Sequence, residues 1–259
     1  QAALAPVYRA YAARLRAEVL AHPVPGHVAL IMDGNRRWAR ELGFREIRTG
    51  HSHGADKAIE LLDWCSGLGI AEVTLWALSL ENLSRPAEEV EAITEIARAT
   101  LEALAERDRV RPLEMSLQVI GRRDLLPDRL REAAERGEAE TRGRPGLRVT
   151  LALGYSGRDE LVEAARAAVR CLLAEGTPPE ALADALTADR LADQLYTRGS
   201  SDPELIIRTS GEVRLSGFLP WQSAYSEFYF CEAYWPAFRE IDLLRAIRTY
   251  QQRARRFGR

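Results

Sequence analysis

The sequence predicts an α/β fold: one domain with a largely parallel six-stranded sheet flanked by helices. Three observations predict it. Six short apolar runs recur along the 259 residues, and the stretches between them are rich in Ala, Glu, Arg and Leu at periods of three and four. The chain is 46% hydrophobic and 29% charged, enough to bury one sizeable core. No Gly/Ser tract, low-complexity block or internal repeat divides it. Strand-helix alternation at this spacing gives a parallel sheet with helices on its faces.

In chain order, residues 3–20 carry Leu4, Val7, Tyr8, Tyr11, Leu15 and Val19 at helical spacing. Pro23, Pro25 and Gly26 stop that helix, so residues 1–23 form a leading helix and 24–259 the main domain. The apolar runs are 27–32, 72–78, 113–120, 147–153, 204–208 and 227–230. Helical patterns fill 35–42, 51–68, 86–107 and 157–174. Ser84 suits an N-cap and Pro86 the first turn of the helix that follows.

Composition narrows the function. Lys+Arg 36 against Asp+Glu 38 leaves a net charge of -2, which argues against a nucleic-acid binder built on a basic surface. No apolar run is long enough to span a bilayer and no signal-peptide core is present. Cys65, Cys171 and Cys231 are odd in number and in no metal spacing, which suits a reducing cytoplasm. The four histidines are too scattered for a zinc site. Lys57 is the only lysine among 36 basic residues, so a lone Arg is weak evidence for phosphate binding.

Chemistry in such a sheet gathers at the carboxyl ends of the strands, and the unusual residues follow strands. The first run leads into Asp33-Gly34-Asn35-Arg36-Arg37-Trp38. Glycine lets the backbone approach a ligand, helix-start N–H groups face an anion, and Arg37 offers a bidentate fork. Asp33 belongs beside phosphate only with a divalent cation between them, octahedral Mg²⁺ being the best match. The bland alternative is a helix cap and a turn. Near the C-terminus, Arg208, Thr209, Ser210, Gly211, Arg214 and Ser216 supply what a second diphosphate pocket needs, against the alternative of an ordinary surface loop. The aromatics Phe218, Trp221, Tyr225, Phe228, Tyr229 and Phe230 read as core or interface. Glu227 among them reads as a metal ligand or an interface carboxylate. Asn82 and Arg85 follow the second strand. His51 opens a helix, where a lone His is more often a cap than a catalyst. Walker and dinucleotide glycine motifs are absent.

Taken together, these segments resemble the cis-prenyltransferase family, of the undecaprenyl diphosphate synthase type. The carriers are His27 to Ala39, Gly50-His51, Glu81-Asn82 with Arg85-Pro86, Gly154 to Arg158, and Ile207-Arg208-Thr209-Ser210-Gly211-Glu212 through Trp221-Gln222 to Glu227. The resemblance implies a Mg²⁺-dependent transferase that condenses isopentenyl diphosphate with an allylic primer, geranyl or farnesyl diphosphate, to a Z-prenyl diphosphate. It implies Asp33 and Asn82 as catalytic residues. Gly34, Asn35, Arg36, Arg37, Trp38, His51 and Arg85 would bind the allylic diphosphate, with Arg45 or Arg48 as a further member. Arg208, Arg214, Ser216, Arg256 and Gly258 would bind isopentenyl diphosphate, and Asp33 and Glu227 would hold the metal. It also implies a cytoplasmic homodimer, joined through the aromatic 218–235 region and the C-terminal helix, loosely membrane-associated through its product. Arg36, and Gly217 within Ser216-Gly217-Phe218, depart from many long-chain members and look like the actinobacterial short-chain type that makes cis-farnesyl diphosphate. A long-chain synthase and a non-catalytic partner subunit are the alternatives. An all-helical trans-prenyltransferase is rejected, because the chain has strands and no Asp-Asp-x-x-Asp.

A prenyl chain needs a dry tunnel, expected between the sheet and the helices at 51–68 and 86–107. Alternation on 72–78 places Val73, Leu75 and Ala77 on one face and Thr74, Trp76 and Leu78 on the other, with Trp76 or Leu78 as a floor. Asp33→Ala is expected to abolish turnover while leaving the fold intact.

Overall fold

The computed structural model describes residues 5–44, 47–110 and 114–254. Strand β1 (His27–Ile31) is buried along its whole length, as a strand covered on both faces must be. It sits inside a six-stranded sheet with β2 (Glu72–Ser79), β3 (Ser116–Ile120), β4 (Arg148–Tyr155), β5 (Leu205–Arg208) and β6 (Glu227–Phe230). The order is β3-β4-β2-β1-β5-β6 and every neighbouring pair is parallel. All six lie where the apolar runs placed them. The direction of winding reverses at β1, which puts a crevice beyond the carboxyl ends of β1 and β5.

Helices α1 (Ala5–Leu20), α2 (Asn35–Glu41), α3 (Ile47–Leu68), α4 (Ala87–Val110), α5 (Asp128–Thr141), α6 (Gly157–Ala174), α7 (Leu182–Ala185), α8 (Ala188–Ala192) and α9 (Glu240–Ala254) complete the described chain. Alternate residues of β1 feed different cores. Val28 and Leu30 join the main core with Leu61 and Leu62 of α3, Leu101 and Leu104 of α4, and Leu244 and Ile247 of α9. Ala29 and Ile31 face a smaller core with Tyr155, Phe218 and Leu219. Helix α1 is tied to α9, where the Gln251 amide donates to the carbonyls of Val19, His22 and Pro23.

Two local readings are corrected. The pairing of β2 with β4 slips between Trp76 and Ser79, so strict alternation fails there. Leu78 therefore enters the main core alongside Leu75, while Trp76 stays on the opposite face, stacked on Phe218 with ring centroids 5.1 Å apart. Ser84 ends a short 3-10 turn (Leu80–Ser84) and does not cap α4; the Pro86 carbonyl receives the Glu89 and Val90 N–H groups instead.

The β3 edge is covered by side chains. Its outward N–H groups at Leu117 and Val119 donate to Thr141 Oγ1 (2.9 Å) and Glu138 Oε1 (2.7 Å) of α5. Arg123 takes the Val119 carbonyl at 2.5 Å. Both outward N–H groups and the Val119 carbonyl are thus already engaged, which hinders pairing with an added strand.

Gly157 fixes the approach of α6 to the loop after β5. Its N–H donates to the Gly217 carbonyl at 3.1 Å. A Cβ there would lie 2.2 Å from Pro220 Cδ and 2.4 Å from the Gly217 oxygen. Gly157→Ala is expected to lower stability by about 1–3 kcal/mol through overpacking, measured by chemical denaturation.

Candidate active site

The loop after β1 and the loop after β5 meet. Thr209 stitches them together: its hydroxyl donates to the Asp33 carbonyl (2.7 Å) and accepts from the Asp33 N–H (2.9 Å). Gly34 stands at the N-cap of α2 with φ 101, a left-handed conformation suited to glycine. A Cβ on it would come within 2.6 Å of the Tyr234 ring. Ser210 and Ser216 also have positive φ, 77 and 54, so the second loop is held in a strained shape by its surroundings.

Arg208 is the centre of this junction. Its residue is only 4% exposed. One guanidinium nitrogen donates to Asp33 Oδ2 at 2.9 Å; the other reaches Ser216 Oγ (2.7 Å) and the Arg214 carbonyl (2.5 Å). Arg37 lies 3.5 Å from the same Asp33 oxygen and donates to Ser210 Oγ (2.7 Å) and Glu212 Oε1 (3.0 Å). The other Glu212 oxygen accepts from Arg214. Burial pushes the Asp33 carboxyl up, but the hydrogen bond and charge of Arg208, the Gly34 N–H and Arg37 outweigh it and hold it below the ordinary carboxylate range. The Arg214 contact, joined by Arg37, holds Glu212 low in the same way.

These residues line a cleft of about 600 Å³, within the usual range of small-ligand sites. Six arginines border it (Arg36, Arg37, Arg40, Arg85, Arg208 and Arg214), and among the described residues Asp33 is its only bordering carboxylate. Such an excess of guanidinium over carboxylate suits a polyanion. The cleft opens onto an apolar slot between the sheet and helices α3 and α4, with Met32, Asn35, Ala77 and Ile93 bordering both. The slot encloses about 60 Å³ and is walled by Leu75, Ile96, Ala97, Leu151, Leu153 and Trp235. Leu75 and Ala77, not Trp76 or Leu78, face it.

Of the residues read as site members, the structure brings Asp33, Gly34, Asn35, Arg36, Arg37, Asn82, Arg85, Arg208, Arg214 and Ser216 to this one cleft. Asn82 also closes a capping box with Ser79 (3.1 and 3.2 Å), which shapes the turn after β2. Trp38 stands apart, packed against His53 and Phe44 with centroids 4.9 and 5.8 Å away. Within one chain Glu227 does not reach Asp33. It opens β6 level with Leu205 and is paired with Arg253 at 2.9 Å. By strand geometry Glu227 lies three positions, about 10 Å, short of the level of Ile31 at the end of β1, and about 10 Å across the sheet from it, with Asp33 beyond Ile31. Arg45, Arg256 and Gly258 lie outside the described residues, as do the side chains of Arg48 and His51. Among the described residues no group of three or more His, Cys, Asp or Glu side chains could hold a metal ion.

The sequence reading missed Glu212 as the bridge between Arg37 and Arg214, and Glu89, which accepts from both Arg36 (3.2 Å) and Arg85 (2.6 Å). It also missed Glu160, the buried anchor behind the second loop. Glu160 is 1% exposed and accepts from Tyr155 Oη (2.6 Å), the Tyr196 N–H (3.0 Å) and the Gln222 amide (3.2 Å). Burial raises its carboxyl above the ordinary value despite those bonds. A raised folded-state value makes its contribution greatest below the unfolded value and lost as pH rises through the folded one. Glu160→Gln is therefore expected to remove a fall in stability with rising pH, read from urea unfolding across mildly acid to neutral buffers.

Comparison with known proteins agrees with this geometry. The family model for undecaprenyl diphosphate synthase prenyltransferases matches residues 31–258. A (2Z,6E)-farnesyl diphosphate synthase of Thermobifida fusca is 50% identical over 98% of this chain and 97% of its own length. An isoprenyl transferase of Thermus thermophilus is 48% identical over 98% and 96%. A crystal structure of lavandulyl diphosphate synthase from Lavandula x intermedia, in complex with dimethylallyl diphosphate, superposes with a TM-score of 0.82 at 33% identity, covering 90% of this chain and 96% of that one. The matched family model and the superposed structure make the chain a prenyltransferase by class. The chain belongs to the undecaprenyl diphosphate synthase family.

Proposed function

We propose that the protein elongates an allylic diphosphate with isopentenyl diphosphate in the Z configuration, geranyl diphosphate to a C15 product being the favoured case. The observation that carries this is the arginine cleft opening directly onto an apolar slot. The cleft suits two charged head groups, and the slot offers a hydrocarbon tail an apolar entrance between the sheet and helices α3 and α4. In the reaction the primer's C1–O bond breaks, isopentenyl C4 bonds to C1, and a proton leaves C2. Charge grows on the departing diphosphate, so Arg37, aimed from α2, stabilises the transition state more than the ground state. Arg208, Arg214 and Ser216 hold the second diphosphate alongside. Affinity rises by roughly 4 kcal/mol for each added C5 unit at ~0.8 kcal/mol per CH₂, so only a steric limit fixes product length. The narrow slot, and the short-chain synthases among the relatives, support an early stop.

One carboxylate among phosphate oxygens is a donor set Mg²⁺ accepts; the cleft contributes the Asp33 carboxylate, and a bound diphosphate would contribute the other oxygens. Asp33 would hold the ion, which when bound neutralises diphosphate charge and aids its departure. The homodimer belongs to the same reading: β6 is the second border of the sheet, and Tyr225 beside it is 97% exposed. Among the described residues no helix is long and apolar enough to cross a membrane, and a cytoplasmic site with loose membrane contact through product fits that. Incubation with labelled isopentenyl diphosphate and C5, C10 or C15 primers, followed by product sizing, tests the proposal. A C15 product from the C10 primer is expected; C50–C55 products would overturn the short-chain reading, and no product would overturn the enzyme.

A further inference from the structure

The segment after β6 returns beneath the Asp33 loop and fastens it. The Trp235 N–H donates to the Asp33 carbonyl at 3.0 Å, and the Ser210 N–H donates to the Ala233 carbonyl at 2.8 Å. Between those two ties stands Tyr234. Its ring fills the space that a side chain at Gly34 would need, 2.6 Å from the ideal Cβ position. The Arg37 guanidinium lies over the same ring, 5.7 Å from its centroid. Its hydroxyl donates to Glu41 Oε1 at 2.6 Å, so the ring is held at the far end of α2 as well. One side chain thus touches the turn, the arginine and the helix that carries it.

We propose that Tyr234 is a positioning residue for the primer diphosphate, its ring acting as the platform that keeps Arg37 aimed across the Asp33–Gly34 turn. The proposal rests on the assignment of Arg37 to the primer. Arg37 has a long side chain with many rotamers, and ordering it at the moment of binding would weaken affinity. Ser210, Glu212 and Asp33 hold one side of the guanidinium, and a cation–π contact on a fixed ring adds to that ordering without placing a further negative charge on it. The tyrosine lines neither the cleft nor the slot, so it acts through Arg37 and not on substrate.

The test compares Tyr234→Leu, which removes the ring, with Tyr234→Phe, which keeps it and loses only the Glu41 bond. Two readouts are taken: steady-state kinetics for each substrate, and calorimetric binding of inorganic pyrophosphate to the unliganded protein. Tyr234→Leu is expected to raise the primer KM and the pyrophosphate Kd about tenfold, with the isopentenyl diphosphate KM within about twofold. Tyr234→Phe is expected to stay within about threefold of the native protein on both. Unchanged pyrophosphate binding in a folded Tyr234→Leu protein overturns the proposal, as does an equal loss in Tyr234→Phe. If the native protein makes no prenyl product, the reaction assignment fails, while the pyrophosphate measurement still decides the role of Tyr234.

Discussion

Asp33→Asn is expected to lower kcat by on the order of 10²–10³, with a melting temperature close to that of the native protein. Among the described residues the carboxylate is the only one bordering the cleft, and flanking arginines keep it ionised. The amide keeps its size and can still accept from Arg208, so the loss isolates charge. Asp33→Ala carries a second effect that the sequence did not reveal. It takes the carboxylate from a guanidinium that is almost wholly buried, 5% exposed against 32% for the Asp33 side chain. A stranded buried charge is costly; because Asp33 is partly solvated, the expected loss is about 1–3 kcal/mol. The expectation of an intact fold is therefore revised to a folded but less stable protein. Single-turnover kinetics with thermal unfolding of both variants checks this; near-native turnover in Asp33→Asn would remove Asp33 from the mechanism.

Arg208→Lys is expected to raise the KM for isopentenyl diphosphate about 100-fold, the equivalent of two lost charge-assisted bonds. The guanidinium is a planar fork that meets Asp33, Ser216 and the Arg214 carbonyl together. A lysine is a single point of charge and cannot hold both loops at once. The primer KM is expected to change less, because Arg37 keeps its own partners, Ser210 and Glu212. Initial-rate kinetics varying each substrate separately measures the difference; equal effects on both KM values would mean that Arg208 serves the loop junction as a whole.

Much of the fold and the site is legible in the residues alone. The apolar runs locate all six strands because a parallel strand buried on both faces shows as a continuous hydrophobic stretch. Asp33, Arg37, Arg208 and Arg214 stand out because they follow strands in glycine- and hydroxyl-containing loops. What fails to show depends on contacts distant in sequence. Leu78 is misplaced because a slip in pairing inverts a strand's alternation without marking the residue itself, while Trp76 keeps its expected face and the slot lies on the other. Glu160 looks like one more helix-start carboxylate; only its packing against Tyr155, Tyr196 and Gln222 makes it an anchor. Glu227, read beside Asp33 by resemblance, lies at the other end of its strand in the single chain.

The covered border at β3 has a bearing on how copies of the chain meet. With the Leu117 and Val119 N–H groups satisfied by α5 and the Val119 carbonyl by Arg123, a strand arriving at the β3 rim meets groups already engaged. Should two copies join rim to rim at β6, nothing of that kind would be left to recruit a third, and a filament could not grow that way.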